Sequence, residues 1–316
     1  MNTHIVTGVA GFIGSHLAEA LLQQGSEVIG VDQLNDYYDP QLKHNNLVSL
    51  KQYDRFKFIK ADIQELNWQE LLTGVDIVYH QAGQAGVRAS WGERFRNYTE
   101  RNINATQVIL EAAKQVKSLT RIVYASSSSI YGNAVTMPTP ETLCPQPVSP
   151  YSITKLAGEN LCWLYQQNFA VPVTALRYFT VYGPRQRPDM AFHQFFKAAI
   201  KGEAISIFGD GQQTRDYTYV SDIVAANLAA GKVPKAIGEV FNIGGGSRIT
   251  LIELLDMMEQ VMERPIERNY LENAVGDARH TSADTTKAQK ILGYTPQVSL
   301  LEGLTQEWQW IKSLYV

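Results

Sequence analysis

The chain has few of the features that commit a protein to a nucleic acid, a membrane or an oxidising compartment. Positive charge is not in excess: 28 lysines and arginines stand against 31 aspartates and glutamates, a net of -3. Nothing in that balance draws the chain to a phosphate backbone or an anionic bilayer, and no such partner is expected. Cysteine is almost missing. Cys144 and Cys162 have neither metal-ligand spacing nor the number for a disulfide framework, and Cys162 falls in an apolar helical pattern that suits a buried hydrophobe. A reducing, cytoplasmic setting is expected, with no metal. Long apolar runs are missing too. The N-terminal hydrophobic stretch is cut by Gly8, Gly11 and Gly14 and follows no basic segment, so it reads as neither a signal peptide nor a membrane span. What remains is 45% hydrophobic and 19% charged over 316 residues, enough chain for one large domain or two unequal ones.

The first thing present in strength is a glycine turn. Thr3-His4-Ile5-Val6-Thr7 reads as a short buried strand, Gly8-Val9-Ala10-Gly11-Phe12-Ile13-Gly14 as a turn into an amphipathic helix, and Glu27 to Asp32 as the next strand. In such a βαβ unit the three glycines serve a tight turn, a close approach of backbone to a diphosphate, and close packing of helix on strand. The helix N-terminus offers free N–H groups to the phosphates. Asp32 ends the second strand 24 residues after Gly8. A carboxylate there accepts hydrogen bonds from an adenosine ribose and repels a 2′-phosphate, which favours NAD over NADP.

Strand and helix patterns then alternate through Phe56–Lys60, Asp76–His80, Arg121–Ala125 and Val173–Arg177, the mark of a doubly wound α/β fold with a parallel sheet. Ligands sit at the carboxyl ends of such strands, where Asp62, Ala82, Ser127 and Thr180 fall. Long helical patterns run from Glu93 to Lys114 and from Tyr151 to Asn168, both more apolar than one sheet-facing stripe needs, so one side of the pair is expected to form a homodimer face. Beyond Tyr182 the texture changes to proline, arginine and shorter elements. Residues 1–178 are therefore read as the dinucleotide domain, with 217–244 returning to it. Residues 179–316, mainly 179–216 and 245–316, are read as a smaller cap.

Ser149-Pro150-Tyr151-Ser152-Ile153-Thr154-Lys155 places a tyrosine and a lysine four residues apart at a helix start, on one face. An ammonium beside a phenol favours its ionised form, so Tyr151 is expected to lose its proton well below its ordinary pKa and to act as a base.

Together these residues resemble the extended short-chain dehydrogenase/reductases, and within them the nucleotide-sugar epimerases. The resemblance rests on Gly8, Gly11 and Gly14, on Ser126-Ser127-Ser128-Ser129-Ile130-Tyr131-Gly132, on Tyr151 with Lys155, and on Arg177-Tyr178-Phe179-Thr180-Val181-Tyr182-Gly183-Pro184. It implies a Rossmann-type domain with a substrate-binding C-terminal cap. It makes Tyr151 the base, Lys155 the holder of the nicotinamide ribose, and Ser127 the partner of the reacting hydroxyl. Phe12, Ile13, Ile63, Gln81, Asn102 and Tyr178 join the glycines, Asp32, Asp62 and Ala82 around NAD. Arg215 and Arg279 become contacts of a UDP diphosphate. One departure stands out: the family's usual His-Leu-Ala-Ala is here His80-Gln81-Ala82-Gly83.

The subclass follows from the serine run. Family members that dehydrate a hexose carry an Asp-Glu pair, and those that decarboxylate UDP-glucuronate carry a glutamate, where this chain has Ser128 and Ser129. Asn35-Asp36-Tyr37-Tyr38-Asp39, Gln84-Ala85-Gly86-Val87-Arg88 and Arg185-Gln186-Arg187-Pro188-Asp189-Met190 resemble the UDP-glucuronate 4-epimerases in particular. An arginine fork and serine hydroxyls suit a carboxylate, and Arg185 is the expected clamp, with Arg88, Ser128, Ser129 and Thr180 beside the substrate. The expected reaction is 4-epimerisation of UDP-glucuronate on retained NAD. A neutral UDP-sugar 4-epimerase, a decarboxylase and a non-catalytic dinucleotide sensor are the alternatives.

Overall fold

The strand β1 (Thr3–Thr7) is almost wholly buried and pairs in parallel with β2 (Glu27–Asp32) on one side and β4 (Ile77–His80) on the other. In the computed structural model, which describes residues 2–272 and 276–316, these strands lie inside a seven-stranded sheet. Its order is Val240–Ile243, β6 (Val173–Tyr178), β5 (Arg121–Ser127), β4, β1, β2, β3 (Phe56–Lys60), and every pairing is parallel. Strands buried on both faces read as near-continuous apolar runs, which is why Ile5-Val6 and Ile77-Val78-Tyr79 lack the alternation of a half-exposed strand. The chain order reverses at β1, so the glycine turn leaving it stands at the crevice where such sheets bind ligands.

Two layers of helix cover the sheet. The helix α1 (Phe12–Gln23) packs with the helix Val220–Lys232 on one face, and Ala105–Ala113 with Pro150–Phe169 lie on the other. The first of the two long patterns expected from sequence, Glu93 to Lys114, is helical from Phe95 to Ala113 but passes through a π-helical turn at Thr99–Asn104. The helix Pro150–Phe169 starts cleanly for local reasons. Ser149 Oγ accepts from Ser152 N at 3.2 Å, Pro150 takes the first position where no N–H is needed, and the helix ends on a left-handed Ala170.

Past β6 the chain builds short strand pairs, such as Ile205–Phe208 with Arg268–Leu271, and the helices Ala191–Lys201, Leu251–Met262 and Leu300–Tyr315. Residues Val220–Lys232 and Val240–Ile243 return to the sheet. No helix among the described residues is long and apolar enough to cross a membrane.

Candidate active site

The register of the sheet lines up the carboxyl ends that matter: Thr7 lies beside Val31 and His80, His80 beside Tyr124, and Ser127 beside Tyr178. His80 fastens this edge. Burial, helped by the charge of Lys155, drives its pKa down to about 3, and the neutral ring joins Thr7 Oγ1 at 2.8 Å to Thr106 Oγ1 at 3.0 Å. Thr7 Oγ1 then accepts from Ala82 N at 3.1 Å, which seats the loop after β4 against the glycine turn.

A cleft runs along this edge, lined at one end by Gly8, Gly11, Phe12, Ile13, Gly14, Asp32, Asp62 and Ile63 and at the other by Gln81, Ala82, Ser126, Tyr151, Lys155 and Tyr178, with Arg187 also on it and near enough to act on Tyr37, Tyr38 and Tyr151. The first end fits a dinucleotide. Gly8 has φ +67, and a Cβ there would stand 2.8 Å from the Ala82 backbone. Gly11 caps α1 with no side chain to take the first-turn N–H groups, so they are left to a ligand. Asp32 accepts once on each oxygen, from Leu34 N at 2.8 Å and Ala10 N at 3.1 Å, and keeps acceptor capacity for ribose hydroxyls. Burial raises its pKa, partly offset by those two amides and by Lys43.

At the other end Tyr151 and Lys155 share one face of their helix and both line the cleft. The phenol, however, is not lowered as the spacing alone led us to expect. Burial raises it; the Ser127 hydroxyl and the charge of Arg187 pull it back, and Lys155 is not among the groups that do so. Lys155 is itself desolvated, held down to about 8 by burial against the raising pull of Cys162 and Glu159, and its Nζ lies 4.6 Å from the centre of the Tyr124 ring. Ser127 caps the turn Ser128–Tyr131, its Oγ 2.9 Å from Ser129 Oγ. Thr180 lies half-buried just past β6, its carbonyl accepting from Thr218 N at 2.9 Å.

Asn102 and Arg185, both expected at the site, do not line the cleft. Asn102 is buried behind the cleft wall: its Oδ1 accepts from Gln84 N at 2.6 Å, and its Nδ2 donates to Gln84 O at 3.0 Å and Thr154 Oγ1 at 2.9 Å. It ties the loop after β4 to the tyrosine helix rather than lining the cleft. Arg185 points the other way, to Glu19 of α1 at 2.7 Å, because the backbone at Arg185 turns left-handed, φ +66. Of the two it is Arg187 that lines the cleft, as Arg101 also does, and it is gripped through two hydrogen bonds by Asp189 at 2.9 and 3.0 Å. Two residues apart in extended chain share a side, so spacing alone sends both arginines the same way, and the left-handed backbone at Arg185 is what parts them.

Arg88, Arg215 and Arg279 form a separate basic cluster away from Tyr151. Arg88 pairs with Asp277 at 2.8 Å and Arg279 with Asp210 at 2.6 Å, both half-exposed, while Arg215 Nη1 donates to the Arg279 carbonyl at 3.0 Å. Gln81, the departure in the strand-end motif, is satisfied: Nε2 donates to Asn227 Oδ1 at 2.9 Å and Oε1 accepts from Tyr178 at 3.1 Å. Asn227 and the cleft residue Lys43 have nothing local in the sequence to distinguish them from surface polar residues, whereas Tyr37 and Tyr38, also on the cleft, belong to the motif Asn35–Asp39.

The chain is similar to known proteins over nearly its whole length. The model of the NAD dependent epimerase/dehydratase family matches residues 4–244. The solved UDP-glucuronic acid 4-epimerase of Bacillus cereus, in complex with UDP-glucuronic acid and NAD, aligns with a TM-score of 0.96 and 45% identity over 99% of this chain and 100% of that one. A UDP-glucuronate 4-epimerase of Thermodesulfobacterium geofontis is 39% identical over 99% of this chain and 97% of its own. An uncharacterized UDP-glucose epimerase of Bacillus subtilis is 44% identical over 98% of both. The chain belongs to the NAD-dependent epimerase/dehydratase family.

Proposed function

We propose that this protein interconverts UDP-glucuronate and UDP-galacturonate by NAD-dependent epimerisation at C4, through a 4-keto sugar. The observation that carries the reading is Arg187. Its guanidinium lines the same cleft as Tyr151, close enough to act on the phenol. Ser127, whose hydroxyl also acts on that phenol, is half-buried with Ser128 and Ser129 at the end of β5, with no carboxylic acid at those positions to serve an elimination or a decarboxylation. A fork of N–H donors with hydroxyls alongside is a receptor for the C6 carboxylate of a uronate. Arg187 takes over the role that sequence reasoning gave to Arg185.

Gly8, Gly11 and Gly14, the first amides of α1, Asp32, Asp62 with Ile63, and Lys155 would hold the cofactor. Bound NAD supplies a hydride acceptor, and later donor, for C4. Tyr151 takes the C4 hydroxyl proton on its Oη, and Ser127 Oγ holds that hydroxyl in line. After the flat ketone turns its other face, Tyr151 returns the proton, so the net reaction consumes no cofactor. Arg88, Arg215 and Arg279 are the diphosphate anchor about which the sugar turns. In this reading residues 1–178 with 217–244 hold the dinucleotide, and 179–216 with 245–316 the nucleotide-sugar. A homodimer through the tyrosine helix is supported by Ile153, Trp163 and Leu164, which are 46–60% exposed there.

The test is to incubate the purified protein with UDP-glucuronate and resolve the products by anion exchange. UDP-galacturonate should form and approach equilibrium. UDP-xylose as the main product would make the protein a decarboxylase. Turnover of UDP-glucose or UDP-N-acetylglucosamine with none of UDP-glucuronate would make it a neutral-sugar epimerase.

A further inference from the structure

The segment Gly183–Arg187 that carries Arg187 is fastened at successive residues to side chains that do not line the cleft. Gly183 N donates to Glu307 Oε2 at 2.8 Å, the Pro184 carbonyl bonds His16 Nε2 at 2.8 Å, and Arg185 Nη2 bonds Glu19 Oε2 at 2.7 Å. His16 and Glu19 belong to α1, the helix whose first turn faces the dinucleotide end of the cleft. Two local costs gather at Arg185. Its φ of +66 is unusual for a residue with a side chain, and its Nη1 is buried with no partner among the described residues. Strain and an orphaned donor persist only where the surroundings over-determine them, and they cluster where geometry serves a function. The left-handed turn at Arg185 is what separates the directions of Arg185 and Arg187.

We propose that Arg185 is a positioning residue: its ion pair with Glu19, backed by the His16 contact, clamps this segment to α1 so that Arg187 stays aimed at the substrate carboxylate. The inference rests on the reading that Arg187 receives that carboxylate. A loosened arginine matters because the 4-keto uronate is a β-keto acid. When its C5–C6 bond rotates into line with the ketone, that bond breaks, CO2 leaves, and the electron pair enters an enolate that is protonated at C5. A UDP-4-keto-pentose results, and the two electrons removed from C4 remain on the cofactor as NADH. The clamp therefore restrains a side reaction as well as binding an anion.

The test compares Arg185→Asn, Glu19→Gln and Arg185→Lys with the wild type and with Arg187→Ala. Asparagine accepts the left-handed backbone, so Arg185→Asn removes the guanidinium with the least disturbance of the turn. Three readouts are taken: CO2 and NADH released per epimerisation, KM for UDP-glucuronate, and the melting temperature. Arg185→Asn and Glu19→Gln should each raise the decarboxylated share and KM by roughly five- to tenfold, less than the hundredfold that a displaced catalytic group can cost. The double variant should add little to either, and Arg185→Lys, which keeps a charge for Glu19, should stay near wild type. Melting temperatures shifted with an unchanged product ratio would reduce Arg185 to a stability contact and overturn the proposal. If Arg187→Ala shifts the ratio while Arg185→Asn and Glu19→Gln do not, only the clamp fails. If Arg187→Ala leaves the ratio unchanged as well, the carboxylate reading fails and the clamp falls with it.

Discussion

Replacing Glu159 by glutamine removes a charge from beneath the catalytic face at almost constant volume. Glu159 lies one turn past Lys155 on the tyrosine helix. Its Oε1 accepts from Arg177 Nη2 at 2.6 Å, Arg177 Nε lies 3.1 and 3.2 Å from its two oxygens, and its Oε2 accepts from Ser126 Oγ at 2.5 Å. The pair thus bolts that helix to β6 and to the residue before Ser127, and both members are buried. Breaking a buried pair by removing one partner costs about 3–5 kcal/mol, because the other charge is left uncompensated. Arg177 retains the Tyr131 hydroxyl and the Glu141 carbonyl as acceptors, which argues for the low end, about 3 kcal/mol. At about 2 °C per kcal/mol for a chain of this size, the melting temperature should fall by roughly 6 °C. Differential scanning calorimetry of Glu159→Gln, Arg177→Met and the double variant reads this directly, and the double variant should lose less than the sum of the singles. A loss under about 1 kcal/mol for Glu159→Gln, or strict additivity, would mean that the pair does not hold the helix to the sheet. Glu159 also raises the pKa of Lys155, so in Glu159→Gln that lysine should titrate below its wild-type value of about 8.

Tyr151→Phe should lower kcat by roughly 10²–10⁴-fold with UDP-sugar affinity near wild type, since it deletes a proton acceptor and no packing volume; near-normal turnover would remove Tyr151 from the chemistry. Lys155→Met should stabilise the cofactor-stripped protein at neutral pH. A buried amine held at about 8 binds fewer protons than the unfolded chain between about 8 and its ordinary 10.5, so the wild type gains stability as pH rises through that window. The variant's advantage, on the order of 3 kcal/mol below pH 8, should therefore close by pH 10.5, and a gap constant across that range in thermal unfolding would refute the burial of the charge. Gly8→Ala should weaken NAD binding and cost about 1–3 kcal/mol of stability, because a left-handed residue would push a Cβ against Ala82; unchanged NAD titration would show that the turn can move aside.

How much of this was readable in the sequence depends on whether the physics is local. The inner strands and the turn at Gly8 were legible because burial on both faces and the need for a residue without Cβ are written at single positions, and the edge strand Phe56–Lys60 because its apolar residues alternate. The place of Asp32 was legible for the same reason: it ends its strand and lines the cleft. Arg185 and Arg187 look alike in the chain, and only the left-handed backbone between Pro184 and Gln186 and the presence of Glu19 on a helix 166 residues earlier decide which one enters the cleft. Asn102 is similar. A polar residue in a helix gives no sign that it will be buried against Gln84 and Thr154, and the π-helical turn that carries it has no sequence signature.

The Tyr151 phenol is where local reasoning and the fold part most clearly. Spacing treats Lys155 as a full charge in water, yet in the fold it is desolvated and weakened, and the cation acting on the phenol is Arg187, brought in from beyond the sheet. In the proposed reading the group that tunes the base is also the group that receives the substrate carboxylate. A uronate seated on Arg187 cancels part of the field that lowers the phenol, so the phenolate becomes a stronger base once the correct substrate is in place. Asp189 already takes a share of that field, which keeps the effect modest. A neutral sugar has no anion to offer and leaves the phenol as it was. The pH dependence of kcat, which reports the enzyme–substrate complex, should then show a higher apparent pKa for the base with UDP-glucuronate than with UDP-glucose. Arg187→Gln should raise the apparent pKa with both sugars, because the cation that lowers the phenol is gone. Identical pKa values for both sugars in the wild type would mean that the carboxylate does not sit on Arg187, and the coupling between substrate choice and base strength would be lost.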